Sequence, residues 1–581
     1  VRFESIARDC NARTGKLEIE EKSIFTPNIL WYESSRIPPP SFAEIKLGGE
    51  VKGGGTFFYP EECKLCIPPA LIYPYSFPEE IHNRAYEMNE GFFGDISVVS
   101  AKGGYKRGFI NVMSNSVELM GNPRNFVEAV VKIRERTGYS LLYAPGIANP
   151  VNLPLLIYSG IDLLDSIDVV IKSRRGVYFT PEGEMKFEEM QEYPCSCEAC
   201  RKGIDSYEDL LMHNYHIFEN ELIKARNAIK GGYLRHLVES RSHFDTNFAT
   251  IIRLFDTLYY EFQEKRYPIT GKKIIASYYS LRRPDVVRFR KRVLERYEKP
   301  ESAKILLLLP CSARKPYSLS KSHHLFRSAM AGIPNRHVIH EVIVTSPLSL
   351  VPRELENFYP AAHYDISVTG EWYEDEMEMI EEMLKEYLKN NDYDIIINHL
   401  PPEFSSYLEI DAISTCVDHP VSEKSLQKLR KEAEVAGEFD DVRQSQRRYE
   451  NALSMLKYQF GREAAESFLE GCNVRGKFPA YRIYHEEKQM ASFSTTRGMF
   501  LLTFPGGKKM GHHYWVDIDD FRPRGSIFAV GVKDAYHAIR AGDEVTIWYD
   551  GELRGVGMAK MNSEEMVEAE AGEAVKVRHY R

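Results

Sequence analysis

AKILLLLPCSARKPYSLSKSHHLF, residues 303–326, sets a short aliphatic run directly against a loop crowded with reactive side chains. A continuous apolar run of this length reads as a strand buried on both faces, the kind found in parallel sheets. The stretches that follow repeat the theme. HEVIVTSPLSLVP (340–352) and YDIIINHLP (393–401) read as further strands, with the acidic helix YEDEMEMIEEMLKEYLKNN (373–391) between them. Strand, loop, helix and strand in that order predict a doubly wound α/β layer, and such sheets bind ligands beyond the carboxyl ends of their strands. The loop opening at Cys311 lies there.

That loop holds Cys311, Arg314, Lys315, Tyr317, Ser318, Ser320, Lys321, Ser322, His323 and His324. A plain connection needs none of them. Cations near a thiol favour its thiolate, so Arg314, Lys315 and Lys321 are expected to activate Cys311 as a nucleophile. Tyr317 and the serines can donate to phosphate or sugar oxygens, and the histidines can move protons near neutral pH. The alternative is a surface anion-binding loop around an inert cysteine.

The chain has 581 residues, room for about three to five domains; 43% are apolar and 27% charged, as in an ordinary soluble globular protein. No apolar run is long enough to span a membrane, so a cytoplasmic protein without membrane contact is expected. The net charge of −9 argues against nonspecific nucleic-acid binding, although a local patch can still carry it. LRRPDVVRFRKRVLERYEK (281–299) is such a patch: Arg288, Arg290, Lys291 and Arg292 recur at helical spacing. The alternative is a solvated helix face. Nine cysteines, an odd number, point to thiols, metal ligands or a nucleophile rather than a disulfide scaffold.

PCSCEAC (194–200) places Cys195, Cys197 and Cys200 on three corners of a tetrahedral zinc site, with His213 or His216 downstream as the fourth ligand. Four protein ligands would make the site structural; the alternative is a redox-active thiol cluster. EECKLC (61–66) offers Cys63 and Cys66, half of another metal site, a reversible disulfide or, the favoured reading, two small core residues. DLLDSID (162–168) holds Asp162, Asp165 and Asp168. They read either as a carboxylate at the end of a barrel strand or, favoured on physical grounds, as an ordinary helix start.

Composition along the chain divides it into an α/β region at 1–238, a helical extension with the basic helix at 239–299, an α/β core at 300–420, a small connecting domain at 421–478, helical or α/β, and a β-rich end at 479–581. Alternating strands and helices in the first region suggest a (β/α)-barrel.

Several stretches resemble one family. Residues 155–200, ending in PCSCEAC, and HNYHIFENELIKARNAIKGG (213–232) are similar to the end of a tRNA-guanine transglycosylase barrel and its zinc motif. That resemblance implies a TIM (β/α)8-like barrel with structural zinc and favours His213 as the fourth ligand. The last hundred or so residues resemble a PUA RNA-binding β-barrel. Pro-Cys-x3-Lys-Pro-Tyr-x2-Ser-x2-His, matched from Pro310, is characteristic of the archaeosine synthases, archaeal paralogues of the transglycosylases; TSPLSLVPRELE (345–356) and HYDISVTGEWYEDE (363–376) also look like that family. Asp165 aligns with the transglycosylase nucleophile. Their Asp-Ser-Gly-x-Phe-Gln segment has no counterpart in PPPSFAEIKLGGEVKGGGTFFYP (38–60), so loss of base exchange is expected and the barrel becomes a binding scaffold.

The resemblance implies a tRNA carrying 7-cyano-7-deazaguanine (preQ0) at position 15. The side-chain amine of free lysine would join its nitrile, and a radical SAM partner protein would cleave the adduct to archaeosine; glutamine-derived ammonia is the alternative donor. Within that picture Cys311 would form a thioimide, with His323 moving the proton, and Lys315, Tyr317 and Ser320 would complete the catalytic set. Lys315, Arg314 and Lys321 would hold anionic groups, and Asp365 and Glu371 an ammonium; Asp165 would remain as a substrate contact in the barrel. The PUA barrel and basic helix would hold a tRNA whose target base has left its stack. A homodimer is expected from the barrel family. The competing readings are an active transglycosylase and a catalytically silent tRNA-binding subunit.

Overall fold

A computed structural model describes residues 1–19, 21–48, 57–59, 65–68, 70–90, 94–366 and 372–581. Cys63 and Glu371 lie outside the described residues, and for Cys66 only the backbone is described. The chain forms two compact units: 1–268 with 528–532 and 561–574, and 269–527 with 533–560 and 575–581. No helix among the described residues is long and apolar enough to cross a membrane.

The first unit opens with a three-stranded antiparallel meander, Arg2–Asp9, Ala12–Ile19 and Lys22–Thr26. An eight-stranded sheet follows. Six strands run parallel, in the spatial order Ile96–Val99, Ile110–Met113, Leu141–Tyr143, Leu163–Asp165, Asn28–Glu33, Ile45–Gly48. Phe57–Tyr59 and Leu65–Cys66 continue the sheet antiparallel, where eight regular strand–helix repeats would have placed parallel strands. Leu30, Leu141, Tyr143 and Leu163 join one buried cluster, with Leu17, Ile19 and Ile24 of the meander. Their neighbours Ile29, Trp31, Leu142 and Leu164 join the other, against the helices. A strand buried on both faces has no polar side to alternate with, which is why LLY and LLD read as unbroken apolar runs. Thr246–Leu258 packs Phe248, Ile251, Ile252 and Phe255 into that outer cluster.

The second unit is built on a five-stranded sheet with Ile305–Pro310 at its centre. That strand is parallel to Ile339–Thr345 on one side and to Ile395–Asn398 on the other. Ser349–Pro352 closes one edge antiparallel and Ile413–Ser414 the other in parallel. Ile305, Leu307 and Leu309 pack on Phe326 and Met330 and on Leu429 and Ala433 of the helix Glu423–Ala433. Leu306 and Leu308 are buried on the opposite face. Downstream stand a four-stranded antiparallel sheet and a last sheet containing Trp515–Ile518, Glu544–Tyr549, Glu552–Ala559 and Glu573–Tyr580.

Candidate active site

The chain leaves Ile305–Pro310, forms Ile339–Thr345 on one side, then crosses to Ile395–Asn398 on the other. Strand order therefore reverses at the central strand, and the crevice at its carboxyl end is where open α/β sheets take their ligands. Cys311 is the first residue beyond it.

The loop is held by its own polar groups. Ser312 Oγ donates to the Arg314 carbonyl at 3.0 Å. Ser320 caps the helix Lys321–Ala329, its Oγ accepting from the His323 amide at 3.3 Å. His323 is buried with both ring nitrogens engaged. An arginine can only donate, so the 2.8 Å contact from Arg353 makes Nδ1 the acceptor, and Nε2–H donates to the Pro310 carbonyl at 3.0 Å. Arg353 is anchored in turn on Glu341 at 2.8 Å and Glu356 at 2.9 Å, and Glu356 accepts the Ser318 amide at 2.9 Å. Burial, and then the Arg353 charge, push His323 down to about 3. A neutral imidazole so tied is a strut between the buried ion pairs and the residue before Cys311. It does not stand free to move a substrate proton, as had been expected of it.

Around Cys311 the environment is drier than the spacing suggested. Burial pushes its thiol up, ahead of the opposing pull of the Thr345 hydroxyl and Lys315. The expectation that nearby cations would favour a resting thiolate is thus corrected: desolvation outweighs them, and Arg314 and Lys321 are exposed at the surface. Lys315 is the unusual group. Its Nζ is buried without a hydrogen-bond partner and lies 4.1 Å from the centroid of the Tyr364 ring. Burial pulls its pKa down, ahead of the opposing influence of Cys311 and Asp365. Asp365 itself pairs with Lys273 at 2.6 Å.

The structure thus brings Cys311, Lys315 and Tyr317 together and adds two residues that spacing did not single out. Thr345 ends one neighbouring strand and Tyr364 begins another. Thr345 Oγ1 lies 2.6 Å from the Tyr364 hydroxyl, which also bonds the hydroxyl of buried Tyr317. Both lie within stretches whose resemblance was noted, yet nothing in their spacing marks them as neighbours of Cys311.

In the first unit, ligand atoms of Cys195, Cys197, Cys200 and His213 all lie within 4.8 Å of one another, a cluster that could hold a metal ion. His213 Nε2–H donates to the Phe179 carbonyl at 3.0 Å, which leaves Nδ1 facing the Cys200 and Cys197 sulfurs at 3.3 and 3.5 Å. Tyr178 stacks on the imidazole at 3.7 Å. His216 instead packs its ring on Phe42 and is not part of the cluster. Titrating the thiols with an organomercurial is expected to release about one metal equivalent per chain, measured with a chromogenic chelator, and Cys200→Ser is expected to lower both metal content and melting temperature.

Asp162 is structural: Arg13 at 3.1 Å and Arg134 at 2.6 Å hold it in a buried ion-pair triad. Asp168 accepts from Asn149 at 2.9 Å and pairs with Lys172 at 3.2 Å. Asp165, at the carboxyl end of its strand, accepts from the Tyr143 hydroxyl at 2.8 Å and the Gly146 and Ile167 amides at 2.7 and 2.9 Å. Burial nonetheless raises it to about 6. Asp165→Asn must turn its amide toward one of these three donors, so a loss of about 1–3 kcal/mol is expected in thermal unfolding of the full chain.

The basic helix Pro284–Glu295 does not present the cationic face expected of it. Arg288 and Arg292 are only 6% and 8% exposed. Arg290 donates to the Leu281 and Pro347 carbonyls, and Lys291 is half-buried. Alternating apolar and basic residues suit a helix packed on several sides, with arginine stems and guanidiniums serving the interior.

Three family models match parts of the chain. Residues 88–246 match the queuine tRNA-ribosyltransferase family, 520–581 the PUA domain, and 286–433, which contain the Cys311 loop, a domain of unknown function, DUF5591. The archaeosine synthase subunit alpha of Methanosarcina acetivorans is 33% identical over 100% of this chain and 96% of its own. The archaeosine synthase of Haloferax volcanii is 31% identical over 99% of both chains. The tRNA-guanine(15) transglycosylase of Methanothermobacter thermautotrophicus is 28% identical over 78% of this chain and 68% of its own.

Proposed function

The chain belongs to the archaeosine synthase family, and from that premise we propose that it is a tRNA-modifying enzyme that adds the side-chain amine of free lysine to the nitrile of preQ0 at position 15 of tRNA. The observation that carries the reading is Cys311 at the strand switch point with the buried, unpartnered amine of Lys315 beside it. A presenting subunit has no use for that pair.

The chemistry follows from the two groups. Lys315, with its depressed pKa, takes the proton of the Cys311 thiol as the sulfur attacks the nitrile carbon. One C–S bond forms, one C–N π bond opens, and the Lys315 ammonium returns the proton to the nitrile nitrogen, giving a thioimide. The lysine amine then adds to the same carbon and the C–S bond breaks. A proton from the amine passes through Lys315 to the departing thiolate, leaving an amidine. Lys315 thereby assumes the proton-moving role first expected of His323, which instead holds the loop with Ser320. Arg314 and Lys321, exposed at the mouth, suit phosphate or the lysine carboxylate; Asp365, shared with Lys273, suits an ammonium.

The remaining parts serve binding. Six parallel strands, with Leu163–Asp165 against Asn28–Glu33, support a barrel-type scaffold for the tRNA, and the PUA match supports an RNA contact. The Cys3His cluster suits zinc, and its four protein ligands leave no position for chemistry. The adduct would then pass to a radical SAM partner for cleavage to archaeosine, in the cytoplasm; a homodimer is part of the same reading.

The test is nucleoside mass spectrometry after incubating the full chain with preQ0-bearing tRNA and isotope-labelled lysine, with glutamine and ammonium in parallel. A gain of one lysine on the modified base is the expected result. Archaeosine formed directly from glutamine or ammonium would make the enzyme an amidine synthase acting alone. No change with any donor would leave a tRNA-binding subunit.

A further inference from the structure

The second unit holds a cavity of about 150 Å³ that Cys311 does not line. Its walls include Arg336 and His337 ahead of the strand Ile339–Thr345, Glu341 on that strand, Arg353 and Glu354 just after Ser349–Pro352, and Arg447 on the helix Gln444–Phe460. Both carboxylates are already spent. Glu341 accepts from Arg353 at 2.8 Å; Glu354 accepts the Tyr297 hydroxyl at 2.8 Å and meets His340 Nε2 at 3.2 Å. Arg447 is only 9% exposed, and each acceptor it meets is neutral: Asn451 Oδ1 and the His337 carbonyl, both at 2.9 Å, and the Ile339 carbonyl at 3.5 Å. Glu354 feels the Arg447 charge without bonding it. A guanidinium carries five N–H donors, so two remain for the cavity. Arg336 is half-buried and, among the described residues, enters no ion pair or side-chain hydrogen bond. Burial, and then the Arg336 and Arg447 charges, hold the His337 imidazole below its ordinary range, against the smaller pull of Asp441. The spare donors are thus cationic, and a guanidinium taken out of water with no anion on it is costly.

We propose that this cavity is a phosphate site, in which Arg336 and Arg447 grip one tetrahedral oxyanion supplied by the tRNA backbone. Planar guanidinium forks match such an anion. At about 150 Å³ the cavity is half the size of the smallest ordinary small-molecule pockets, about 300 Å³, so it suits one phosphate group rather than a whole nucleotide. A polymeric source follows from what leads to it. Lys321, His324 and Arg327 stand exposed at every third position of the helix Lys321–Ala329, which starts at the Cys311 loop and ends next to Met330, itself part of the cavity wall. Cations in a row that ends in an anion hole track a run of phosphates; a free anion needs only the hole. Arg353 connects the two places, since it walls the cavity and holds His323, which in turn holds the Pro310 carbonyl. Backbone docking and the reactive loop thereby share one support. The site also supplies the RNA contact that the buried arginines of Pro284–Glu295 do not.

The source of the phosphate rests on the tRNA reading above; the anion site does not, and the test separates the two on the full chain. Inorganic phosphate, compared with chloride at equal ionic strength, is expected to raise the melting temperature saturably and to protect Arg336 from phenylglyoxal, read by peptide mass mapping. Arg336→Ala should raise the half-saturating phosphate concentration about tenfold or more, and Arg336→Lys should recover part of the loss. Arg336 makes no bond that the fold needs, so both variants are expected to fold. Filter binding of preQ0-bearing tRNA supplies the second arm. There Arg336→Ala should weaken binding about tenfold and flatten the slope of log affinity against log salt by about one. Phosphate protection with tRNA affinity and salt slope unchanged in Arg336→Ala would make the source free phosphate and overturn the RNA assignment. Absence of both protection and saturable stabilisation would overturn the site altogether. Both arms are read without lysine, so a chain that forms no adduct yet binds phosphate and tRNA through Arg336 keeps the site and loses only the enzyme.

Discussion

Alanine at Cys311 is expected to lower formation of the lysine adduct on preQ0-bearing tRNA by a factor on the order of 10³ or more, with tRNA affinity held within about threefold. The asymmetry follows from where the residue sits. Cys311 stands half-buried at the end of a buried strand, while the charges offered to solvent belong to Arg314 and Lys321. Removing the sulfur takes away the bond-forming atom but none of the surface charge that meets phosphate. Single-turnover kinetics with nucleoside mass spectrometry give the first number and filter binding the second. Intact mass gives a third, independent sign. Wild-type protein with substrate and no lysine should accumulate a covalent tRNA adduct that Cys311→Ala lacks. Full turnover by the alanine variant would show instead that the amine attacks the nitrile directly. Cys311→Ser sharpens the result, because a hydroxyl in the same place is far less acidic than a thiol and Lys315 cannot strip it as readily.

Much of this site is legible in the sequence, and the reasons are physical. ILLLLP announced its strand because burial on both faces erases alternation, and the loop announced itself because no turn needs a cysteine, two lysines and two histidines. The Cys195–Cys200 spacing is equally self-contained: three sulfurs that near in sequence are near in space. Sequence proximity misleads where it is not spatial proximity. His323 is twelve residues from Cys311, yet Arg353 and Pro310, each from a different element, claim both its nitrogens. Arg288 and Arg292 have the periodicity of a cationic stripe, but periodicity cannot say which stripe faces water, and the apolar residues between them belong to a helix packed all round. Thr345 and Tyr364 could not be found from spacing at all. They are carried to Cys311 by the pairing of Pro310 with Val344 and by the two-stranded sheet that holds Tyr364. Lys315 is legible in the sequence as a catalytic residue and an anion holder; what its spacing does not tell is that its amine is buried without a hydrogen-bond partner.

Lys315→Met is expected to cost about 10²–10⁴ in the rate of adduct formation while making the protein more stable, a combination that a merely structural lysine would not give. Methionine matches the length and packing of the stem and removes only the amine. The stability gain has a definite sign. A lysine whose folded pKa lies below its unfolded value binds its proton less tightly in the native state, so the native state loses stability as pH falls from the ordinary lysine range through the depressed value. The methionine variant carries no such penalty, and its advantage in melting temperature should widen over that same fall in pH and then level off. Activity moves the other way. Wild-type rate should rise with pH along a limb set below the usual lysine value, as the free amine becomes available to take the thiol proton, and that limb should vanish in the variant. Lys315→Ala adds a chemical check, since the space it opens lies beside Cys311 and over the Tyr364 ring. Small primary amines should restore part of its activity, the more so as their basicity rises, whereas quaternary ammonium ions of similar size, which carry the charge but no proton, should not. Rescue by both would reduce Lys315 to a fixed positive charge, and the thiol proton would have to leave by another route.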